Sequence, residues 1–490
     1  MAELCITVIG KTADEIRRAR AAAEADADLV ELRLDSMERP DAAAALEGRS
    51  KPAIVTCRPL REGGMFDGAE EERLRVLSQA HAYGAEFIDL EWDSVQAPVM
   101  QARAGRGVIV SRHVFDCTPR NAAQILDSIR GQGGEVAKLA VMTERLTDLR
   151  TLLQAVRSDR RSILIGMGSG GAVTRVLAAR YGSRWTYAGN RVAPGQLPAS
   201  RLIDEFRFRR IRPDAAVYGV LGRPVSASLS PAMHNAGFAA LGLNAAYVPF
   251  ETRDLEELRP FASEMGVRGL SVTIPFKEDV VPLLDEVAPA AQAAGAVNTI
   301  AIRNGRWIGS NTDADGFLEP LRARRIDLRG LRVVILGAGG AARGVGLALA
   351  REGAHVAISA RRADAAERVA SDIGAKTTTW PPPARWWDLL VNATPVGSRA
   401  LPGTPFEGPF DGRLVYDLVY EPDPTELMER AAAQGVDTIG GLAMLVAQAE
   451  RQFEIWAGQR PPAGLFAQAA ATAIRNRAES GERRSATAME

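Results

Sequence analysis

The chain has 490 residues, 46% of them hydrophobic and 24% charged, and a formal net charge of zero. That balance is globular and offers no excess field to draw a nucleic acid or an anionic membrane surface. No basic start and apolar core follow Met1, no apolar run approaches a membrane span, and Cys5, Cys57 and Cys117 make no disulfide framework. A cytoplasmic protein is therefore expected.

At this length about two to four domains are expected. Strand-like runs come first at Leu4–Ile9, Leu29–Leu34, Ala53–Cys57, Phe87–Glu91, Val108–Arg112, Val136–Val141, Ile163–Met167 and Trp185–Ala188, separated by helical stretches. Eight such βα units point to a closed parallel (β/α)8 barrel with short loops. A basic, proline-bearing stretch, Arg207 to Pro213, reads as a linker. A new strand run, Val217–Leu221, opens a mixed α/β region that reaches Phe317. A second α/β start follows at Leu331–Leu336, with further runs at Val356–Ser359, Leu389–Asn392 and Leu414–Val419. These suit a Rossmann-type doubly wound sheet. The helical pattern Leu442–Ala457 comes after that sheet and is expected to fold back on the domain before it. The expected division is a barrel over 1–208, an α/β substrate domain over 214–317 completed by helices near 440–475, a dinucleotide domain over 318–439, and a disordered tail over 476–490.

Arginine supplies nearly all the positive charge; the lysines are Lys11, Lys51, Lys138, Lys277 and Lys376. Arg cannot readily give up its proton and a buried Lys can, so a lysine kept in an apolar strand suggests a need for an amine. Lys138 lies in such a strand, Val-Ala-Lys-Leu-Ala-Val. Barrel strands carry their reactive groups at their C-terminal ends. Those ends here present Glu31, Arg33, Arg58, Glu62, His113, Lys138 and Met167, with Arg175 and Gln196 beyond strands 7 and 8. A desolvated amine attacks carbonyls, an imidazole shuttles protons, Glu62 is placed to orient it, and guanidinium groups bind a carboxylate. The set suits Schiff-base chemistry on a keto acid.

Glu-Leu-Arg-Leu-Asp (31–35), Cys-Arg…Glu-Gly-Gly (57–64), Ser-Arg-His (111–113), Lys-Leu-Ala (138–140) and Ala-Pro-Gly-Gln (193–196) resemble the type I 3-dehydroquinate dehydratases over roughly residues 1–205. The resemblance implies Lys138 as the imine-forming residue and His113 as acid and base, with Glu62 as its partner. It implies Glu31, Arg33, Arg58, Arg175 and Gln196 as substrate contacts. Val192 stands where that family usually carries a hydroxyl. Losing one hydrogen bond costs on the order of 1 kcal/mol. A class I aldolase would share the barrel lysine without the Arg…Glu-Gly-Gly and Ala-Pro-Gly-Gln set.

In the second half, Gly337-Ala338-Gly339-Gly340-Ala341-Ala342 matches G-x-G-x-x-A between a strand and a helix, where small residues let a pyrophosphate approach a helix N-terminus. Ser359-Ala360-Arg361-Arg362 ends the next strand with no acid for a ribose hydroxyl. Two guanidinium groups there favour a 2′-phosphate, so NADP is expected. Ser228, Ser230, His234, Thr273, Lys277, Asn298 and Asp313 form polar clusters upstream. Lys277 with Asp313 is a pair able to protonate an alkoxide as hydride arrives. Together with Asn392-Ala-Thr394-Pro-Val-Gly, Asp417-Leu-Val-Tyr420 and Gly441-Leu-Ala-Met-Leu-Val-Ala-Gln448, these resemble shikimate dehydrogenase over roughly residues 215–470. The likeness implies Lys277 and Asp313 as catalytic. It implies Ser228, Ser230, Thr273, Asn298, Tyr420 and Gln448 as substrate contacts, and Gly337, Ala338, Gly339, Gly340, Ala341, Arg361, Arg362, Asn392 and Thr394 around the cofactor. Ala227, Ser398, Ala360 and Arg362 depart from that family's usual residues.

The joined order resembles the bifunctional plant-type enzyme. It implies 3-dehydroquinate, 3-dehydroshikimate and shikimate as small-molecule partners; the charge balance leads us to expect no nucleic-acid or membrane partner, and the lack of a His/Cys/acid cluster at ligand spacing no metal. Oligomeric state is not readable. Quinate oxidation and a metabolite-sensing regulator built from decayed domains are the alternatives; a regulator should have lost Lys138, His113 or Lys277, and all three are present.

Overall fold

The computed structural model describes residues 2–94, 98–157, 159, 161–189 and 193–479; Val192 and residues 480–490 of the expected tail lie outside them. The chain forms two compact units, Met1–Pro275 and Phe276–Glu490.

The first unit opens with the expected barrel. Its strands are β1 Glu3–Val8, β2 Leu29–Arg33, β3 Ala53–Thr56, β4 Phe87–Glu91, β5 Val108–Val114, β6 Val136–Met142, β7 Ser162–Met167 and β8 Trp185–Ala188. All pair in parallel in the order β7-β6-β5-β4-β3-β2-β1-β8. The remaining seam is nearly closed, because β7 and the approach to β8 meet through a parallel bridge between Ser162 and Ser183. Inward side chains of such a barrel stack in layers drawn from alternate strands. Leu29, Phe87, Val136 and Trp185 belong to the bottom of one apolar cluster, with Cys5, Ile54, Ile109 and Ile163 from the other four strands. Two residues further along the even strands come Glu31, Asp89, Lys138 and Tyr187. The apolar stack thus gives way to a layer of two acids, an amine and a phenol.

The unit continues with β9 Ala216–Gly222, β10 Ala245–Glu251 and β11 Val267–Val272, parallel and ordered β10-β9-β11. The barrel helix Leu146–Gln154 packs against the helix Leu258–Met265. Arg150 joins them, pairing with Glu257 at 2.6 Å and Glu264 at 2.7 Å.

In the second unit, β12 Glu286–Val287 pairs in parallel with β14 Arg306–Ser310, and β13 Thr299–Arg303 forms an antiparallel hairpin with β14. The sheet that follows is wholly parallel. It comprises β15 Arg332–Leu336, β16 His355–Ser359, β17 Lys376–Thr378, β18 Leu389–Asn392, β19 Leu414–Asp417 and β20 Asp437–Ile439, ordered β17-β16-β15-β18-β19-β20. This is the doubly wound order, and it places the switch point between β15 and β18. Apolar clusters cover both faces of the sheet. The helix Gly441–Ala457 follows the sheet and packs on the helix Asp313–Ala323. The last helix, Leu465–Glu479, takes in the first positions of the expected tail.

Candidate active sites

A cavity of about 80 Å³ opens above the polar layer of the barrel, and it gathers the predicted set: Glu31, Arg33, Arg58, Glu62, His113, Lys138, Met167, Arg175 and Gln196 all line it. Lys138 is 5% exposed. Its Nζ donates to Asp89 at 3.1 Å, lies 3.8 Å from Glu31, and sits 4.3 Å from the centroid of the Tyr187 ring. Glu31 is fixed by hydroxyl donors on the neighbouring strands, Thr7 at 2.8 Å and Thr56 at 3.0 Å. Thr7 in turn accepts from Gln196 at 3.1 Å, tying the loop after β8 to β1.

Arg58 pairs with Asp89 at 3.0 Å and with Glu91 at 2.8 Å. Burial alone would raise the Asp89 carboxyl, yet the charges of Arg58 and Lys138 and the Ser111 hydroxyl hold it well below the usual carboxylate range. Arg33 is held by both oxygens of Asp35, at 2.9 and 2.7 Å.

The Glu62 carboxylate accepts from the backbone N–H of His113 at 2.9 Å and lies 2.9 Å from its Nδ1. Burial pushes Glu62 up to about 7, against the lowering effect of that backbone bond. Burial, with the nearby charges of Arg58 and Lys138, holds His113 well below its usual value. The imidazole is therefore neutral near pH 7. With Nδ1–H donating to Glu62, Nε2 is left as the proton acceptor.

Among the described residues, Arg175 pairs with no acid. It is 2% exposed and donates to the carbonyls of Gly166 at 2.8 Å and Gly171 at 3.0 Å. Burial pushes it down to about 10. A charge this buried and this poorly compensated invites an anion.

Asp89, Thr7 and Tyr187 belong to this site and were not singled out in the sequence. The signal for Asp89 was an acid inside the apolar run Phe87–Glu91.

The second predicted set divides between the units. In the first unit, Ser228 Oγ accepts from the N–H of Ser230, which opens the helix Ser230–Ala240, and Thr273 follows β11. In the second unit, Lys277 Nζ donates to Asp313 Oδ2 at 2.6 Å, and Asn298 Nδ2 donates to Asp313 Oδ1 at 2.7 Å. Asn298 Oδ1 accepts from Thr312 N–H at 2.9 Å, and Gln452 binds the Asn298 carbonyl at 3.1 Å. Asp313 is thus gripped at both oxygens, while Lys277 and Asp313 remain about a third exposed, at 33% and 29%. Gln448 reaches this cluster because Gly316 lets two helices touch; a Cβ at 316 would stand 2.6 Å from Gln448 Cβ. Burial raises the Tyr420 phenol.

At the switch point Gly337 has φ of +112°, which only glycine adopts readily. A Cβ at Gly339 or Gly340 would meet nothing within 4 Å, so the backbone entering the helix Gly340–Arg351 is open to close approach. Arg361 and Arg362 are exposed just beyond β16. These residues fit a dinucleotide bearing a 2′-phosphate. Asn392, which the likeness implied near the cofactor, is hydrogen-bonded within its own loop. Its amide donates to Val396 O and Asp417, and its oxygen accepts from Thr394 N–H and hydroxyl. It shapes the loop beside Gly337.

Three family models match the chain: type I 3-dehydroquinase over residues 4–213, the shikimate dehydrogenase substrate binding domain over 220–300, and the shikimate 5′-dehydrogenase C-terminal domain over 441–471. A bifunctional 3-dehydroquinate dehydratase/shikimate dehydrogenase of Arabidopsis thaliana, described as chloroplastic, is 32% identical, with 94% of this chain and 83% of that protein aligned. An NADP(+) shikimate dehydrogenase of Carboxydothermus hydrogenoformans is 39% identical over 53% of this chain and 98% of its own length. Two crystal structures align with the second half. A shikimate dehydrogenase in complex with NADP+ has a TM-score of 0.51 at 34% identity, covering 54% of this chain and 97% of that one. The Aquifex aeolicus shikimate dehydrogenase has a TM-score of 0.50 at 35% identity, covering 53% and 98%.

Proposed function

Since the chain belongs to the family of bifunctional 3-dehydroquinate dehydratase/shikimate dehydrogenases, we propose that its two chemistries are run by the two lysine clusters described above. The enzyme is a lyase and an NADP-dependent oxidoreductase of the shikimate pathway. The observation that carries the residue assignment is the seating of each amine. Lys138 is buried among Asp89, Glu31 and Tyr187 beside the His113–Glu62 pair, and Lys277 is bound to Asp313 at an accessible edge.

In the dehydratase, Arg175 takes the substrate carboxylate and Glu31, Arg33, Arg58 and Gln196 take its hydroxyl groups. Lys138 forms an imine with the ketone. His113 Nε2 removes the proton from the carbon beside the imine and returns it to the departing hydroxyl, and water then frees 3-dehydroshikimate. Glu62 orients the ring and offsets the charge it gains.

In the dehydrogenase, Lys277 delivers a proton to the substrate oxygen and Asp313 holds that amine in place. Ser228, Ser230, Thr273, Asn298, Tyr420 and Gln448 are the further substrate contacts. The loop and helix start formed by Gly337, Ala338, Gly339, Gly340 and Ala341 would hold the pyrophosphate of NADP, Arg361 and Arg362 its 2′-phosphate, and Thr394 would support the adjoining loop. When bound, NADPH supplies the hydride.

The assignment of 1–208 to the dehydratase, 214–317 with 440–475 to the substrate domain, and 318–439 to the cofactor domain belongs to the same reading. So does a cytoplasmic location, which the three free thiols favour; among the described residues, no helix is long and apolar enough to cross a membrane.

The test is a coupled assay. With 3-dehydroquinate and NADPH, Lys138→Ala should stop shikimate formation yet still reduce added 3-dehydroshikimate. Lys277→Ala should accumulate 3-dehydroshikimate. Shikimate production by either variant at the parent rate overturns the assignment, and quinate serves as the competing substrate.

A further inference from the structure

The fourth member of the polar barrel layer has no role in the chemistry above. Tyr187 is 4% exposed, lines the dehydratase cavity, and presents its ring face to Lys138 Nζ at 4.3 Å. Its hydroxyl is buried without a hydrogen-bond partner among the described residues. The indole N–H of Trp185, one layer below, is directed toward that hydroxyl and has no closer partner among the described residues. A tyrosine whose ring covers the reacting nitrogen, and whose hydroxyl meets no acid or base of the site among the described residues, is placed for what its face can do. An aromatic face attracts a cation, more strongly where water is excluded.

We propose that the Tyr187 ring is an electrostatic platform for Lys138, stabilising positive charge on Nζ in both the ammonium and the iminium formed with substrate. The inference rests on Lys138 as the imine lysine. Ammonium and ketone combine to give iminium and one water: nitrogen gives up two protons to the departing carbonyl oxygen, bonds to the carbon, and keeps the charge. Loss of a proton from the neighbouring carbon then sends the C=N electron pair to nitrogen, and the charge disappears in the enamine. Asp89 and Glu31 stand on the other sides of the amine and favour the same charged states. The ring adds a contribution that favours the iminium over the neutral carbinolamine and enamine without introducing another titratable base beside the substrate.

The test separates ring electronics from packing. Borohydride reduces iminium and not enamine, so the fraction of intact enzyme trapped at saturating 3-dehydroquinate reads the iminium population by mass spectrometry. Tyr187→Phe keeps the face and drops the orphan hydroxyl. It should trap to the parent level, with unchanged or higher thermal stability. Phenylalanines carrying one, two and three ring fluorines at position 187 keep the shape and progressively weaken the face. Across that series the trapped fraction should fall by roughly tenfold, with kcat falling and KM changing little. Tyr187→Leu should lie at or below the trifluorinated variant. A flat fluorination series with the adduct still on Lys138 overturns the platform alone. A parent adduct on another residue overturns the assignment of Lys138, and the platform with it.

Discussion

Arg175 sets a trade between stability and binding whose size follows from its surroundings. Burial lowers its guanidinium from 12.5 to about 10, which corresponds to a penalty of about 3 kcal/mol on the charged form. The two hydrogen bonds to Gly166 and Gly171 each contribute about 1 kcal/mol, and a methionine would forfeit them. Arg175→Met should therefore stabilise the ligand-free first unit by about 1 kcal/mol, raising its thermal transition by about 2–4 °C. The sign holds across pH 6–8, because a base whose folded value is depressed to about 10 is protonated in both folded and unfolded states throughout that window. Binding should move the other way. A charge-assisted pair of hydrogen bonds to a carboxylate contributes about 3–4 kcal/mol, so KM for 3-dehydroquinate should rise by roughly a hundredfold to a thousandfold. Scanning calorimetry and steady-state kinetics on the intact enzyme measure both. If the variant melts lower and keeps its KM within threefold, Arg175 is a structural cation and the reading of it as the carboxylate site is wrong.

Glu62 should govern the pH dependence of dehydration. Its folded value is raised to about 7, so its carboxylate is lost as pH falls through neutrality, and dehydratase activity should drop on that acid side; Glu62→Gln should be slower and flat there in a pH–rate profile. Because the unfolded carboxyl ionises near 4.5, the raised value also means that the contribution of Glu62 to folding is most favourable below pH 4.5 and is lost as pH rises to about 7. The pH dependence of chemical denaturation should be correspondingly shallower in Glu62→Gln. Replacing Arg361 and Arg362 with alanine should raise KM for NADPH about tenfold or more while leaving KM for NADH unchanged; an equal loss with both cofactors would remove the arginines from the 2′-phosphate. Gly316→Ala forces a Cβ to 2.6 Å from Gln448 Cβ, and overpacking of that kind costs about 1–3 kcal/mol. The second unit should melt earlier and KM for shikimate should rise, since Gln448 is displaced.

Much of this architecture was legible because periodic apolar runs separate strands from helices regardless of what they later pack against. All eight barrel runs and the four strands of the dinucleotide sheet named from sequence appear within two residues of their expected ends. The hairpin of β13 and β14 went unread although its signal was present. Arg303-Asn304-Gly305-Arg306 carries the Asn-Gly pair of a tight two-residue turn, and both central residues have positive φ, 52° and 78°. The strands β17 and β20 are three residues each, too short for periodicity to register.

The site residues divide along a physical line. Those that meet substrate were legible because an amine, an imidazole or a guanidinium at a strand end is chemically conspicuous. Those that condition them are ordinary residues made significant by layer stacking. Asp89 joins Lys138 to Arg58 only because β4 and β6 are alternate strands of one barrel and contribute to the same layer. Thr7 links Glu31 to Gln196, 189 residues away from Thr7 in sequence, only because β8 pairs beside β1. Neither relation has a local pattern. Yet once the βα count fixes the barrel, the position two residues beyond each apolar inward residue on strands 2, 4, 6 and 8 is fixed as well, and reading Glu31, Asp89, Lys138 and Tyr187 as one ring requires only the alternation of a strand.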